Sequence, residues 1–210
     1  MTSTAQSGPV ALPDRGWALA AGVAGIVAVL GYVPLVTMNV PGPVAVLLAF
    51  TFGFGFMVAS IGLHLGVTQG VAPRLGLVAA VANTVAAGEL LAMLLVQMAV
   101  RAAEPHPGAA FTHIWLGLDV AWDLFGGAGT VLFGLALWRH PRFRPLTAGA
   151  GILAGGVLLV LNIGTFPTPP AEAGLVDVGP LVALWYVVLM VRVLVMGGRG
   201  AMQARPAGSP

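Results

Sequence analysis

Six apolar runs follow one another along this chain of 210 residues, over residues 16–36, 44–70, 75–101, 111–139, 146–166 and 180–198. Each is near or above the roughly 20 residues that a helix needs to cross the hydrocarbon core of a bilayer. That repetition predicts an all-α, polytopic membrane protein of six transmembrane helices, and it leaves no segment for a soluble domain. Residues 1–15 read as a polar N-terminal tail, 16–198 as the transmembrane domain and 199–210 as a C-terminal tail. The first run follows a single Arg15 and has no clear small-residue cleavage site behind it, so it reads as a span rather than a removable signal. Proline-bearing connectors, among them MNVPGP, HPRFRP and FPTPPAEAGLVDVGP, punctuate the runs.

Composition agrees and excludes several chemistries. Only 8% of residues are charged, where a soluble domain carries roughly 25%, and the mean hydropathy is +0.96. Cysteine is absent, which removes disulfides, thiolate catalysis and iron–sulfur ligation. Lysine is absent as well, so all nine basic residues are arginines and no Schiff base can form on the chain. The basic balance implies no nucleic-acid partner, because all the arginines but Arg192 flank the apolar runs, in connectors, tails and run ends.

Arginine placement orients the expected bundle. Arg15, Arg74, Arg139, Arg142, Arg144, Arg199 and Arg205 gather on one side, and only Arg101 lies on the other. By the positive-inside rule both termini are expected in the cytoplasm, with the protein in the cytoplasmic membrane. The external loops then carry Glu104, His106, Glu172 and Asp177.

Small residues forecast where helices meet. Gly62, Gly66 and Gly70 recur at every fourth position, and Gly151 and Gly155 form a GxxxG pair. Such stripes let backbones approach closely. Packing within one chain is the plainer use of them, and a homo-oligomer through Gly62, Gly66 and Gly70 is the other.

The polar residues inside the runs are the candidates for function. In HIWLGLDVAWDLFGG, residues 113–127, helical projection puts Trp115, Asp119, Trp122, Asp123 and Gly126 on one face, together with Thr112 and Thr130. Leu118, Val120, Leu124 and Phe125 form an apolar back. Asn83, Glu89, Met93 and Gln97 share a face of the third run. Gly53, Met57, Ser60, His64 and Thr68 share one on the second, and Trp185 and Arg192 share one on the sixth. Ionisable residues in spans usually face the bundle interior or a wet cavity.

Counted from the outer helix ends, Asp123, Arg192 and Glu89 are each 12 residues deep, about 18 Å at 1.5 Å per residue. The expectation is therefore one midplane chamber. Glu89, Asp119 and Asp123 are its proton or cation sites, Arg192 is the counter-ion, and Trp115, Trp122 and Trp185 are its walls, with Asn83 and His64 nearby. A surplus carboxyl there should be protonated or hold a cation. The competing reading makes Glu89, Asp123 and Arg192 a structural network that holds helices in register.

Recognisable chemistry is sparse. A DxxxD pair can grip a divalent cation, but the further acidic motifs of membrane prenyltransferases and alcohol phosphotransferases are missing. Two histidines at matching depth for haem would have to be His64 and His140, and His140 precedes Pro141 in a basic loop. No nucleophile set, metal set or cofactor motif appears, so neither a metal nor a cofactor is expected and catalysis is not favoured. From Asp119 through WRHPRF, residues 138–143, to TFPTPPAEAGLVDVGPLVALW, residues 165–185, the chain resembles a family of small bacterial six-span membrane proteins with no assigned activity. The resemblance covers roughly the C-terminal half and implies only the topology. Two classes of function remain: a small proton-linked transporter or binder of a small hydrophobic or lipid ligand in the bilayer, and an accessory subunit whose buried charges are packing glue.

Overall fold

Prolines and glycines set the helix boundaries. In the computed structural model α1 spans Arg15–Thr37, α2 Gly42–Leu63, α3 Pro73–Ala103, α4 Ala109–Trp138, α5 Leu146–Thr165 and α6 Gly179–Gln203, with a π-helical turn over His64–Thr68 that continues α2. The structure describes residue 12 and residues 14–103, 108–143 and 145–203, the last five by backbone alone. Glu104, His106, Arg144 and Arg205 of the sequence reading lie outside the described residues, as does the Arg199 side chain. Asp14 caps α1 by accepting from the Trp17 N–H at 3.1 Å, Pro41 precedes α2, and Pro73 opens α3. Asp177 accepts from the Gly179 N–H at 2.8 Å in the turn that leads into α6.

Six helices are long and apolar enough to cross a membrane, as a multi-pass membrane protein requires, and no strand occurs among the described residues. Short connectors make neighbours antiparallel. Each helix packs on the next, and α1 packs on α6, so the six close into a ring. Side chains fill the middle. One end of the ring carries Arg15, Arg74, Arg139 and Arg142 and is called the basic end below; the opposite end carries Arg101 and the 166–178 loop.

The glycine stripe on α2 serves this ring. A Cβ on Gly62 would meet Ala21 and the Trp17 carbonyl, and one on Gly66 would meet Ala18, so both are filled by α1. Gly70 lies in an exposed turn. Gly62 and Gly66 thus serve packing within the chain, against α1. The α4–α5 seam is tighter still: a Cβ on Gly155 would stand 2.7 Å from the Gly127 carbonyl oxygen, and one on Gly134 2.9 Å from that of Ala148.

One expectation about the α4 faces fails. Val120, assigned to the lipid-facing back, is buried. Because α3 and α5 both pack closely on α4, its buried arc is wider than the polar stripe alone.

Candidate functional site

The α4 stripe does turn inward. Asp123, Gly126 and Thr130 are buried, while Thr112, Trp115, Asp119 and Trp122 are half-buried. The close α4–α5 approach brings Asn162 to Asp123. The Asn162 amide nitrogen donates to Asp123 Oδ2 at 2.9 Å and to the Leu158 carbonyl at 3.0 Å. Asn162 is fully enclosed and its Oδ1 has no hydrogen-bond partner. Asp123 itself is 8% exposed, and Asn162 is the one hydrogen-bond partner its carboxyl has among the described residues. Asp119 lies one turn nearer the 166–178 loop, which carries Glu172 and Asp177. Pro169, Pro170 and Val178 of that loop and its end are buried. Gly174, at φ 78°, makes its turn in the left-handed region that favours glycine.

A second polar group occupies the centre of the ring. Asn83 Nδ2 donates to the Tyr186 hydroxyl at 2.7 Å, and the Tyr186 and Thr130 hydroxyls share a bond of 3.2 Å. Thr130 also donates to the Gly126 carbonyl at 2.7 Å. Three helices, α3, α4 and α6, are tied there. Asn83 fits because Gly129 offers no side chain where its amide lies, and Asn83 Oδ1 is again buried without a partner. Around this group runs an aromatic column. Phe56 meets Tyr186 edge-on at 5.0 Å, Trp122 meets Phe52 and Phe56 at 6.1 and 6.0 Å, and Tyr32 lies on Phe52 at 4.9 Å.

Arg192 is not the counter-ion of the carboxyls. Its guanidinium donates to the Thr147 hydroxyl, to the Arg142 carbonyl at 3.1 Å, and stands over the Phe143 ring at 5.8 Å. Helix α5 serves as a ruler, since Thr147 binds Arg192 and Asn162 binds Asp123. Those two positions are 15 residues apart, about 22 Å along the helix. The equal-depth count assumed that all outer helix ends are level. Trp185 stands against Gly151, so the first residue of α6 is level with about Val157, and α5 runs about 12 Å beyond it. The long arginine side chain then extends toward the basic end.

The remaining candidates divide between these groups. Trp122 and the half-buried Trp115 pack against the apolar core on the same face of α4 as the carboxyls. Trp185 is buried, but its indole donates to the Thr147 carbonyl at 2.7 Å, at the Arg192 end. Ala86 faces Gly126 across the α3–α4 contact, which brings Glu89, three residues on, to the depth of Asp123; it is half-buried and makes no hydrogen bond among the described residues. His64 begins the π turn, with Nδ1 3.5 Å from the Thr68 hydroxyl, far from the carboxyls toward the basic end. The expected single chamber is thus three separate polar groups. Asn162, Tyr186 and Thr147 were missed; Asn162 was visible as the one amide in the apolar stretch LLVLNIG.

No group of three or more histidine, aspartate or glutamate side chains that could hold a metal ion occurs among the described residues. Compared with known proteins, the chain matches no family model, no curated protein and no solved structure.

Proposed function

We propose that the chain is a multi-pass protein of a bacterial cytoplasmic membrane, with both termini inside, and that it works as a small proton-linked transporter whose proton site is the pair Asp119 and Asp123. One observation carries this: Asp123 is enclosed among apolar helices with an amide, not a base, as its partner. A carboxylate anion at the centre of a lipid-exposed helix costs roughly 2.5–3.5 kcal/mol on insertion scales. With Arg192 bound at Thr147, about 22 Å along α5 from the Asn162 that holds Asp123, a shared proton is the economical way to keep two neighbouring carboxyls in place. The 166–178 loop, which carries Glu172 and Asp177 at the end opposite the arginines, is the side nearer Asp119 and so the side from which protons would enter. The proposed orientation follows from the arginine asymmetry.

Infrared spectroscopy of the detergent-solubilised protein near pH 7 tests the site. A protonated carboxyl C=O band that shrinks in Asp123→Asn supports it, and the absence of that band refutes it. In proteoliposomes Asp119→Asn and Asp123→Asn should abolish pH-gradient-driven uptake while leaving the fold intact. Labelling of Ala201→Cys but not Ala171→Cys from outside intact cells would reverse the orientation.

The structural reading applies to the second polar group. Asn83, Tyr186 and Thr130 are fully or almost fully buried and tie three helices, which is what packing glue looks like. Tyr186→Phe should therefore lower thermal stability without changing the infrared band.

A further inference from the structure

Helices α2 and α3 leave a groove of about 440 Å³ between them, lined by Ile61, His64, Leu65, Leu77, Val81 and Val85 among others. Nearly all of its wall is apolar. Thr84, which also borders it, donates its hydroxyl to the Ala80 carbonyl at 2.8 Å, so it offers no free donor. Ile61, Leu77, Val81 and Val85 are exposed, so in a bilayer the groove opens sideways to lipid rather than to water.

Besides Thr84, the polar groups at or just beyond the groove lie at its basic end. His64 turns one ring nitrogen, Nδ1, to Thr68, and its Nε2 has no hydrogen-bond partner among the described residues. Arg74 lies one turn of α3 beyond Leu77 on the same face and is exposed. From Arg74 to Val85 is 11 residues, about 16 Å of helix. That matches roughly half of a 30 Å hydrocarbon core, which is one leaflet. A slot with the length of one leaflet, greasy from the midplane outward and ending at an imidazole and a guanidinium, has the pattern of an acyl chain below a negatively charged headgroup.

We infer that this groove holds one acyl chain of an anionic phospholipid from the leaflet at the basic end, with Arg74 and the His64 imidazole on its phosphate. The inference rests on the membrane-spanning reading above and is independent of the proton site. Charge complementarity selects the occupant: a zwitterionic lipid offers the same chain but a headgroup with no net charge for Arg74.

Native mass spectrometry of the full chain in detergent, with phosphatidylglycerol or phosphatidylcholine added at equal concentration, tests it. The unmutated protein should retain phosphatidylglycerol at least about tenfold better. Arg74→Gln should cut that preference to within threefold, whereas Arg101→Gln, at the opposite end, should leave it unchanged. Val81→Trp should expel both lipids by filling the slot; if it fails to fold, the Arg74→Gln ratio decides alone. Equal retention of the two lipids, an unaltered preference in Arg74→Gln, or an equal loss in Arg101→Gln would each overturn the inference. So would displacement of phosphatidylglycerol by soluble glycerol phosphate, which would mark a free-phosphate site instead. Asp123→Asn should keep the lipid preference, so loss of the infrared band and loss of lipid selectivity report on different readings. A chain that stays soluble without detergent would fail the membrane reading before any lipid is added.

Discussion

At one end of α5 a carboxyl on a short side chain is enclosed against Asn162, whereas 15 residues away a guanidinium on a long side chain reaches Thr147 and the Arg142 carbonyl and stays exposed. Both are ionisable groups on apolar helices, and the difference is reach. Aspartate has one methylene and takes whatever partner its own helix seam provides. Arginine can carry its charge several ångströms along the helix to the interface and leave only its apolar stem at depth. Position in a sequence therefore fixes the depth of a short polar side chain well and that of a long one poorly.

The largest expected effect comes from breaking the seam that creates the enclosed end. Gly155→Val pushes a side chain into the Gly127 carbonyl and the Thr130 side chain. It should cost about 3 kcal/mol and part Asp123 from Asn162. Gly156→Val is the control, since nothing lies within 4 Å of its Cβ position. Thermal unfolding in detergent should show a large loss in the first and almost none in the second. Comparable losses in both would mean that the close α4–α5 contact does not define the site.

Removing the amide alone comes next. Asn162→Leu leaves the Asp123 carboxyl without a partner and should lower stability by about 1–3 kcal/mol. Adding Asp123→Leu should return part of that loss, because no unpaired polar group then remains. Additive losses in the double variant would show that Asp123 is already satisfied by something other than Asn162.

The spans and their inward faces were legible in the sequence for a physical reason. A continuous apolar run and a polar stripe at helical spacing both follow from local chain geometry, so Arg15–Thr37 and Leu146–Thr165 fall within a residue or so of the runs at 16–36 and 146–166. Asp123 was found on the buried face because its helix alone determines it. What stayed hidden depends on how helices slide past one another. The α6 start lies well below the end of α5, so Arg192 and Asp123, equal in count, are far apart. Tyr186 looked like one more residue of an apolar run, and only the ring closure reveals that it meets Asn83 and Thr130 at the centre.

A milder effect should appear in the pH dependence at the basic end. His140, in the loop after α4, is fully enclosed, with Nδ1 accepting from the Arg142 N–H at 3.3 Å and Nε2 unpartnered. Burial, and then the nearby Arg142 charge, hold its pKa below the ordinary histidine value. The unfolded chain takes up a proton below about pH 6.5 that the folded chain refuses. Stability from the neutral ring is therefore complete above that pH and is lost as pH falls toward the lowered folded value, at up to about 1.4 kcal/mol per pH unit. His140→Leu should flatten that part of the unfolding midpoint's pH profile. An unchanged slope would mean that the loop opens to let the ring charge.

The smallest effect expected is the coupling between the two ends. Arg192→Leu removes an exposed group whose partners are the Thr147 hydroxyl and the Arg142 carbonyl, so the single loss should be about 1 kcal/mol or less. Had Arg192 neutralised the carboxyls, Asp123→Asn would rescue it. With their α5 partners about 22 Å apart, the two substitutions share no contact, and their effects should add within about 0.5 kcal/mol. The Thr147→Val variant sharpens the comparison, since it touches only the arginine end and should couple to Arg192→Leu but not to Asp123→Asn. A rescue of Arg192→Leu by Asp123→Asn, measured by chemical or thermal unfolding in the same detergent, would join the two ends into one charged network and remove the ground for assigning them separate roles.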